Sequence, residues 1–208
     1  MPKCLIFDCD GTLVDSEFLA NKALAIQLNA LGIDLDPVVL MSRYRGWKLA
    51  TILDDLSREF QINLPDNFVP AYRHKFSELS KRELKPIEGV IEVLEQISIP
   101  ICVASSGPMH KIQESLDLTD LSRFFGDDLF SAYDVSSWKP DPALFLFAAS
   151  QMGADPADCW VIEDSEVGIE AAVAAGMRPV YFAPDHVPDI QGDTVHIQHM
   201  SQLLDLLS

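Results

Sequence analysis

Basic side chains are scarce in this chain of 208 residues: 15 Lys and Arg stand against 32 Asp and Glu, a formal net charge of -17. So acidic a surface repels phosphate backbones and anionic headgroups at long range, which argues against nucleic acid or a membrane as partner. Cysteine is scarce as well. Cys4, Cys9, Cys102 and Cys159 fall within or just after apolar runs instead of clustering in loops. Neither a zinc site nor a disulfide scaffold is expected from that pattern, and the four read as reduced, buried small hydrophobes. No apolar stretch approaches the ~20 residues of a membrane-spanning helix. The first seven residues are too short for the apolar region of a signal peptide, so the expected location is cytoplasmic. Internal repeats and low-complexity segments are also missing. What remains, 48% hydrophobic and 23% charged, is enough apolar material to bury a core.

Short apolar runs at residues 3–7, 101–104, 159–162 and 179–182 predict strands buried on both faces. Between the last three lie helical patterns at 109–118, 143–152 and 166–175. Asp141-Pro142 opens the second of these, Ser165 can cap the third, and Gly176 closes it. Strands alternating with helices imply a parallel sheet with right-handed crossovers. From Ser16 to about Glu83 the pattern is helical only, with helices expected near 17–31, 38–43, 49–60 and 67–84. Residues 17–85 carry ten basic and nine acidic side chains, leaving the rest of the chain at -18. A nearly neutral insert inside an acidic frame suggests two domains with different tasks.

In an open parallel sheet the working groups sit just beyond the carboxyl ends of the strands. The first run ends in Asp8-Cys9-Asp10-Gly11-Thr12, the second in Ser105-Ser106-Gly107, and the third in Glu163-Asp164-Ser165, while Lys139 precedes a helix. Carboxylates brought so close repel one another unless a cation neutralises them, and an all-oxygen set suits Mg2+. Asp8, Asp10 and Asp164 are the candidate ligands, with Glu163 supporting them from behind. Such an ion keeps positions open for a substrate phosphate. After Lys139 the one further Lys or Arg is Arg178. A lone lysine among acids can hold both a nucleophile and a transferring phosphoryl group. His196 and His199 have poor spacing for a metal pair.

The stretch Phe7-Asp8-Cys9-Asp10-Gly11-Thr12-Leu13-Val14-Asp15-Ser16 resembles the first motif of the haloacid dehalogenase-like hydrolases. Ser105 stands where that family has its second-motif Ser or Thr, Lys139 where it has its Lys, and Glu163-Asp164 where it has its acidic pair. The resemblance implies an α/β fold: a Rossmann-like parallel-sheet core, residues 1–15 and 86–208, with an inserted helical-bundle cap, residues 16–85. It further implies that Asp8 is a nucleophile forming an aspartyl-phosphate and that Asp10 is the proton carrier, binding the metal through its main-chain oxygen. Ser105 and the amide of Ser106 would hold phosphoryl oxygens, and Gly107 would let the backbone approach. The implied partner is a small phosphorylated metabolite and the expected state a monomer.

Alternatives remain at this level. A dehalogenase has no use for Asp10, since halide leaves without a proton. A phospho-aspartate signalling switch has no need of a cap of this size. A phosphosugar mutase of the beta-phosphoglucomutase kind usually carries a His in the first cap helix, where this chain has Ala20; hydrolysis is therefore favoured.

The insert concentrates Arg43, Arg45 and Lys48 around Gly46. Arg45, Gly46 and Lys48 are accordingly expected to touch an anionic or polyhydroxylated part of the substrate. Replacing Lys48 with Ala should raise the Michaelis constant for a substrate with a distal carboxylate or phosphate by the equivalent of about 1.5–3 kcal/mol. A small uncharged aryl phosphate should respond little, and steady-state kinetics on the two substrates checks the difference.

Overall fold

The structure, a computed structural model, describes residues 1–44, 47, 49–184 and 194–208. Two compact units divide it: Met1–Asp15 with Lys85–Ser208, and Ser16–Leu84 between them in sequence. Arg45, Gly46 and Lys48 lie outside the described residues.

The larger unit is an α/β sandwich around a parallel sheet. Among the described residues its strands are β1 (Cys4–Phe7), β2 (Ile101–Ser105), β3 (Leu129–Ser131), β4 (Cys159–Glu163), β5 (Arg178–Phe182) and β6 (Val195–Ile197). They run in the order β3-β2-β1-β4-β5-β6, every neighbouring pair parallel. β1, the central strand, pairs Leu5 with Ile101 on one side and with Trp160 on the other. All four of its residues are buried, as are all five of β4, which is why these strands appear in the sequence as unbroken apolar runs.

Four helices build the smaller unit: α1 (Ser16–Asn29), α2 (Pro37–Tyr44), α3 (Leu49–Glu59) and α4 (Phe68–Glu83). The larger unit adds α5 (Val90–Leu94), α6 (Met109–Leu118), α7 (Ser122–Phe125), α8 (Ala132–Val135), α9 (Ala143–Gln151), α10 (Glu166–Ala174) and α11 (Gln202–Leu206). β3, β6, α5, α7, α8 and α11 have no counterpart in the expected elements. Each spans at most five residues, too short for either hydrophobic period to register.

On one face of the sheet, Cys4 and Ile6 of β1, Cys102 and Ala104 of β2, and Cys159 and Val161 of β4 pack against Leu144, Phe145 and Ala148 of α9 and Ala171 and Ala172 of α10. The alternation along β1 sends Leu5 and Phe7 the other way, and Phe7 meets Phe125 of α7 edge-on at 6.1 Å. All four cysteines are buried and free. In the smaller unit Leu24, Leu28, Leu40, Leu53, Leu56 and Phe68 form a separate core. At its rim the Tyr44 hydroxyl donates to Asp55 Oδ2 at 2.8 Å, and burial with that acceptor pushes the phenol up to about 12. Among the described residues no helix is long and apolar enough to cross a membrane.

Candidate active site

Chain order and sheet order part company at β1: β2 and β3 lie on one side of it, β4 to β6 on the other. That reversal opens a crevice at the carboxyl ends of β1 and β4, where ligands of open α/β sheets bind. Asp8 follows β1 directly, Ser105 ends β2, Glu163 ends β4 and Asp164 follows it.

The loop after β1 is closed by its own backbone. Leu13 and Val14 N–H both donate to Cys9 C=O, at 2.9 and 3.1 Å, and Gly11 N–H donates to Val14 C=O at 2.9 Å. Gly11 adopts φ +86°, and a Cβ there would overlap the Asp164 carboxylate. Glycine is therefore required twice over, by the backbone and by the acid lying against it. Thr12, fully buried, donates from Oγ1 to Asp164 Oδ1 at 3.0 Å and fixes that carboxylate from the other side.

Lys139 is the hub. Its ammonium donates to Asp8 Oδ1 in a short bond and to Glu163 Oε1 at 2.8 Å, with the side chain only 3% exposed. The Phe145 ring faces Nζ at 5.0 Å and helps exclude water. Burial alone would lower the Lys139 pKa, but Asp8 and Glu163 outweigh it and hold the group above the ordinary lysine value. Burial also pushes the Asp8 carboxyl above its usual range, with Lys139 pulling the other way and the Glu163 charge adding to the rise.

Glu163 is held in turn. Its Oε2 accepts from Ser165 N–H at 2.6 Å and from Ser165 Oγ at 2.8 Å, while Ser165 Oγ accepts from Gly168 N–H at 3.2 Å. Ser165 thus caps α10 and orients the acid behind the lysine with one hydroxyl. Both Glu163 oxygens are engaged, so its part is to fix Lys139.

One carboxylate oxygen each from Asp8, Glu163 and Asp164 lie within 4.8 Å of one another. Hard oxygen donors so grouped fit a divalent cation of the magnesium type. The Asp10 side chain is not in that group; its Oδ2 instead accepts from Lys111 Nζ at 2.8 Å.

Ser105 is buried and its Oγ accepts from Gly107 N–H at 3.1 Å, while the buried Ser131 donates from Oγ to Gly107 C=O at 2.6 Å. Ser106 is exposed. Asp8, Lys139 and Asp164 therefore converge, Ser105 and Gly107 form an adjoining loop, and Asp10 turns towards that loop through Lys111.

Sequence reasoning passed over Lys111, although the signal that singled out Lys139 was present: Lys111 is the one Lys or Arg between Lys85 and Arg123. The serine link behind Glu163 had no such signal, because a capping serine looks the same whether or not its hydroxyl also orients an acid.

Over residues 2–176 the chain matches the model of the haloacid dehalogenase-like hydrolases. The chain belongs to that hydrolase family. It is 38% identical over 207 residues to 6-phosphogluconate phosphatase of Escherichia coli, spanning 98% of this chain and 94% of that protein. A conserved haloacid dehalogenase-like protein of unknown function from Agrobacterium tumefaciens superposes with a TM-score of 0.90 at 30% identity, covering 100% of this chain and 98% of its own. A haloacid dehalogenase family hydrolase from Deinococcus radiodurans, solved with bound phosphate and sodium, superposes with a TM-score of 0.83 at 25% identity, covering 99% and 94%.

The link from α10 to Lys139 generates a prediction. A Cβ at Gly168 would overlap the Glu163 carboxylate, which is itself buried, so Gly168→Ala must push that acid off its place. Stability should fall by about 1–3 kcal/mol, the usual cost of overpacking, in spite of alanine's better helix propensity. Urea denaturation measures this; an equally or more stable variant would show that the glycine is not needed for packing.

Proposed function

We propose that this hydrolase is a magnesium-dependent phosphatase acting on a small sugar or sugar-acid phosphate such as 6-phosphogluconate, through an aspartyl-phosphate on Asp8. The observation that carries the reading is the buried Asp8 carboxylate, aimed by Lys139 and grouped with Asp164 at the carboxyl edge of the central strands. The 38% identical relative named for 6-phosphogluconate and the phosphate held by the Deinococcus hydrolase support it.

An Asp8 oxygen attacks phosphorus as the ester P–O bond breaks, and the leaving alkoxide takes a proton from the Asp10 carboxyl. Asp10, now a carboxylate, accepts a proton from water as that water attacks the aspartyl-phosphate, releasing phosphate and restoring Asp8. Lys139 keeps Asp8 oriented throughout, and Ser105 with the Ser106 amide holds phosphoryl oxygens through hydrogen bonds that need no reorganisation. Asp8, Asp164 and the Asp10 main chain would hold magnesium, which supplies charge neutralisation for the transferring group.

Asp8→Asn should abolish magnesium-dependent phosphate release while the thermal melt stays in place, because a neutral amide is no nucleophile. Substantial residual turnover would remove the covalent mechanism. Asp10→Asn should lose at least tenfold more activity on a sugar phosphate than on an aryl phosphate, whose phenolate needs little proton assistance. Equal losses on the two would leave Asp10 with a structural part only.

A further inference from the structure

Lys111 has no part in the chemistry above, yet it lies against the residue that must face the leaving group. It stands in the first turn of α6, where its N–H donates to Pro108 C=O at 2.9 Å, and its Nζ donates to Asp10 Oδ2 at 2.8 Å across 101 residues of sequence. Gly107 lies between these groups. A Cβ on it would be 3.4 Å from Ser105 Oγ, 3.8 Å from Lys111 Cδ and 4.0 Å from Asp10 Oδ2, so phosphate loop, lysine and acid share one small face.

Lys111 and Lys139 differ in access. Lys139 is sealed at 3% exposure, whereas Lys111 and Asp10 are 34% and 33% exposed. A proton carrier must come within hydrogen-bond distance of the leaving oxygen, and Lys111 Nζ is one further hydrogen bond beyond that carboxylate. The ammonium is thereby confined to within roughly 8 Å of the leaving oxygen, a distance an acyclic sugar-acid chain spans. The surrounding unit is strongly acidic, and a substrate carrying a second negative group meets Asp8, Asp10 and Asp164 at the same edge. Lys111 is a solvent-reachable cation on this face, placed to offset that repulsion.

We propose that Lys111 is a specificity residue that binds an anionic group, a carboxylate above all, on the leaving portion of the substrate. The inference rests on the phosphatase reading and deepens it: the preference for a sugar acid over a neutral sugar alcohol would be written in the sheet unit, on α6.

Gluconate 6-phosphate and glucitol 6-phosphate make the test, since they differ in a terminal carboxylate against a hydroxymethyl group. Both leave as primary alkoxides and need the same proton, so any effect of Lys111 acting through Asp10 falls on both alike. In Lys111→Met the KM for gluconate 6-phosphate should rise at least tenfold and that for glucitol 6-phosphate less than threefold, and Lys111→Arg should restore most of the difference. Equal changes in KM for the two esters, or a loss confined to kcat, overturns the assignment while the parent enzyme's magnesium-dependent phosphate release leaves the phosphatase reading standing. If the parent enzyme releases phosphate from neither ester, the substrate reading fails and this inference falls with it.

Discussion

One ammonium shared by two buried carboxylates holds the site together. Taking Lys139, Asp8 and Glu163 out of water costs several kcal/mol per ion, and their attraction offsets this only with good geometry and further hydrogen bonds. The fold supplies both. Asp8 is fixed because its N–H donates to Ile162 C=O at 2.9 Å across the β1–β4 pair, and Glu163 because Ser165 grips its other oxygen. Phe145 of α9 closes the apolar side. Strand, helix cap and core thus meet on one nitrogen. Removing Lys139 would strand two buried carboxylates, which costs more than the cluster contributes, whereas neutralising Asp8 leaves Lys139 paired with Glu163. The cluster also retains a net negative charge, and with Asp164 alongside it remains attractive to a cation.

How much of this the sequence discloses depends on the length over which a signal repeats. β1, β2, β4 and β5 are legible because burial on both faces demands four or five apolar residues in a row. β3 and β6 are three residues each, one at either edge of the sheet, and three residues distinguish no period. The site divides in the same way. Asp8, Asp10, Ser105, Glu163 and Asp164 could be placed together because each follows or ends a strand and the strands are parallel. Lys111 could not: its meeting with Asp10 depends on how α6 leaves β2 and on which way a carboxylate turns. Asp8, Asp10 and Asp164 were the expected ligands, with Glu163 behind them and Asp10 engaged through its main chain; the side chains that gather are those of Asp8, Glu163 and Asp164, while the Asp10 carboxylate accepts from Lys111.

The chain separates charge by unit. The helical unit is close to neutral and ties its own ions locally: Arg43 reaches Asp55 at 2.9 Å and Glu59 at 2.5 Å, and Lys22 reaches Glu83 at 2.5 Å. These exposed pairs contribute little to stability, the usual result for surface ion pairs. The sheet unit has few cations, and two of them, Lys139 and Lys111, pair with acids just beyond β1, one sealed and one reachable. Acidic surroundings make each more consequential, because neither is diluted by a general positive field.

The central strand is also made well before the strands that pair with it. On the ribosome β1 emerges before either neighbour, and Leu5 must wait for Ile101 and then Trp160 before both its edges are filled. Residues 16–84, with a core of their own, can close in the interval, since domains generally fold as units during synthesis. The sheet then forms around a strand whose partners are far along the chain, a high-contact-order assembly that is slow for its size. Until it completes, Cys4 to Phe7 is an apolar segment with unpaired edges, the kind of surface chaperones hold. Vectorial synthesis therefore gives the helical insert a further office, as the part that can be finished while the central strand is still alone.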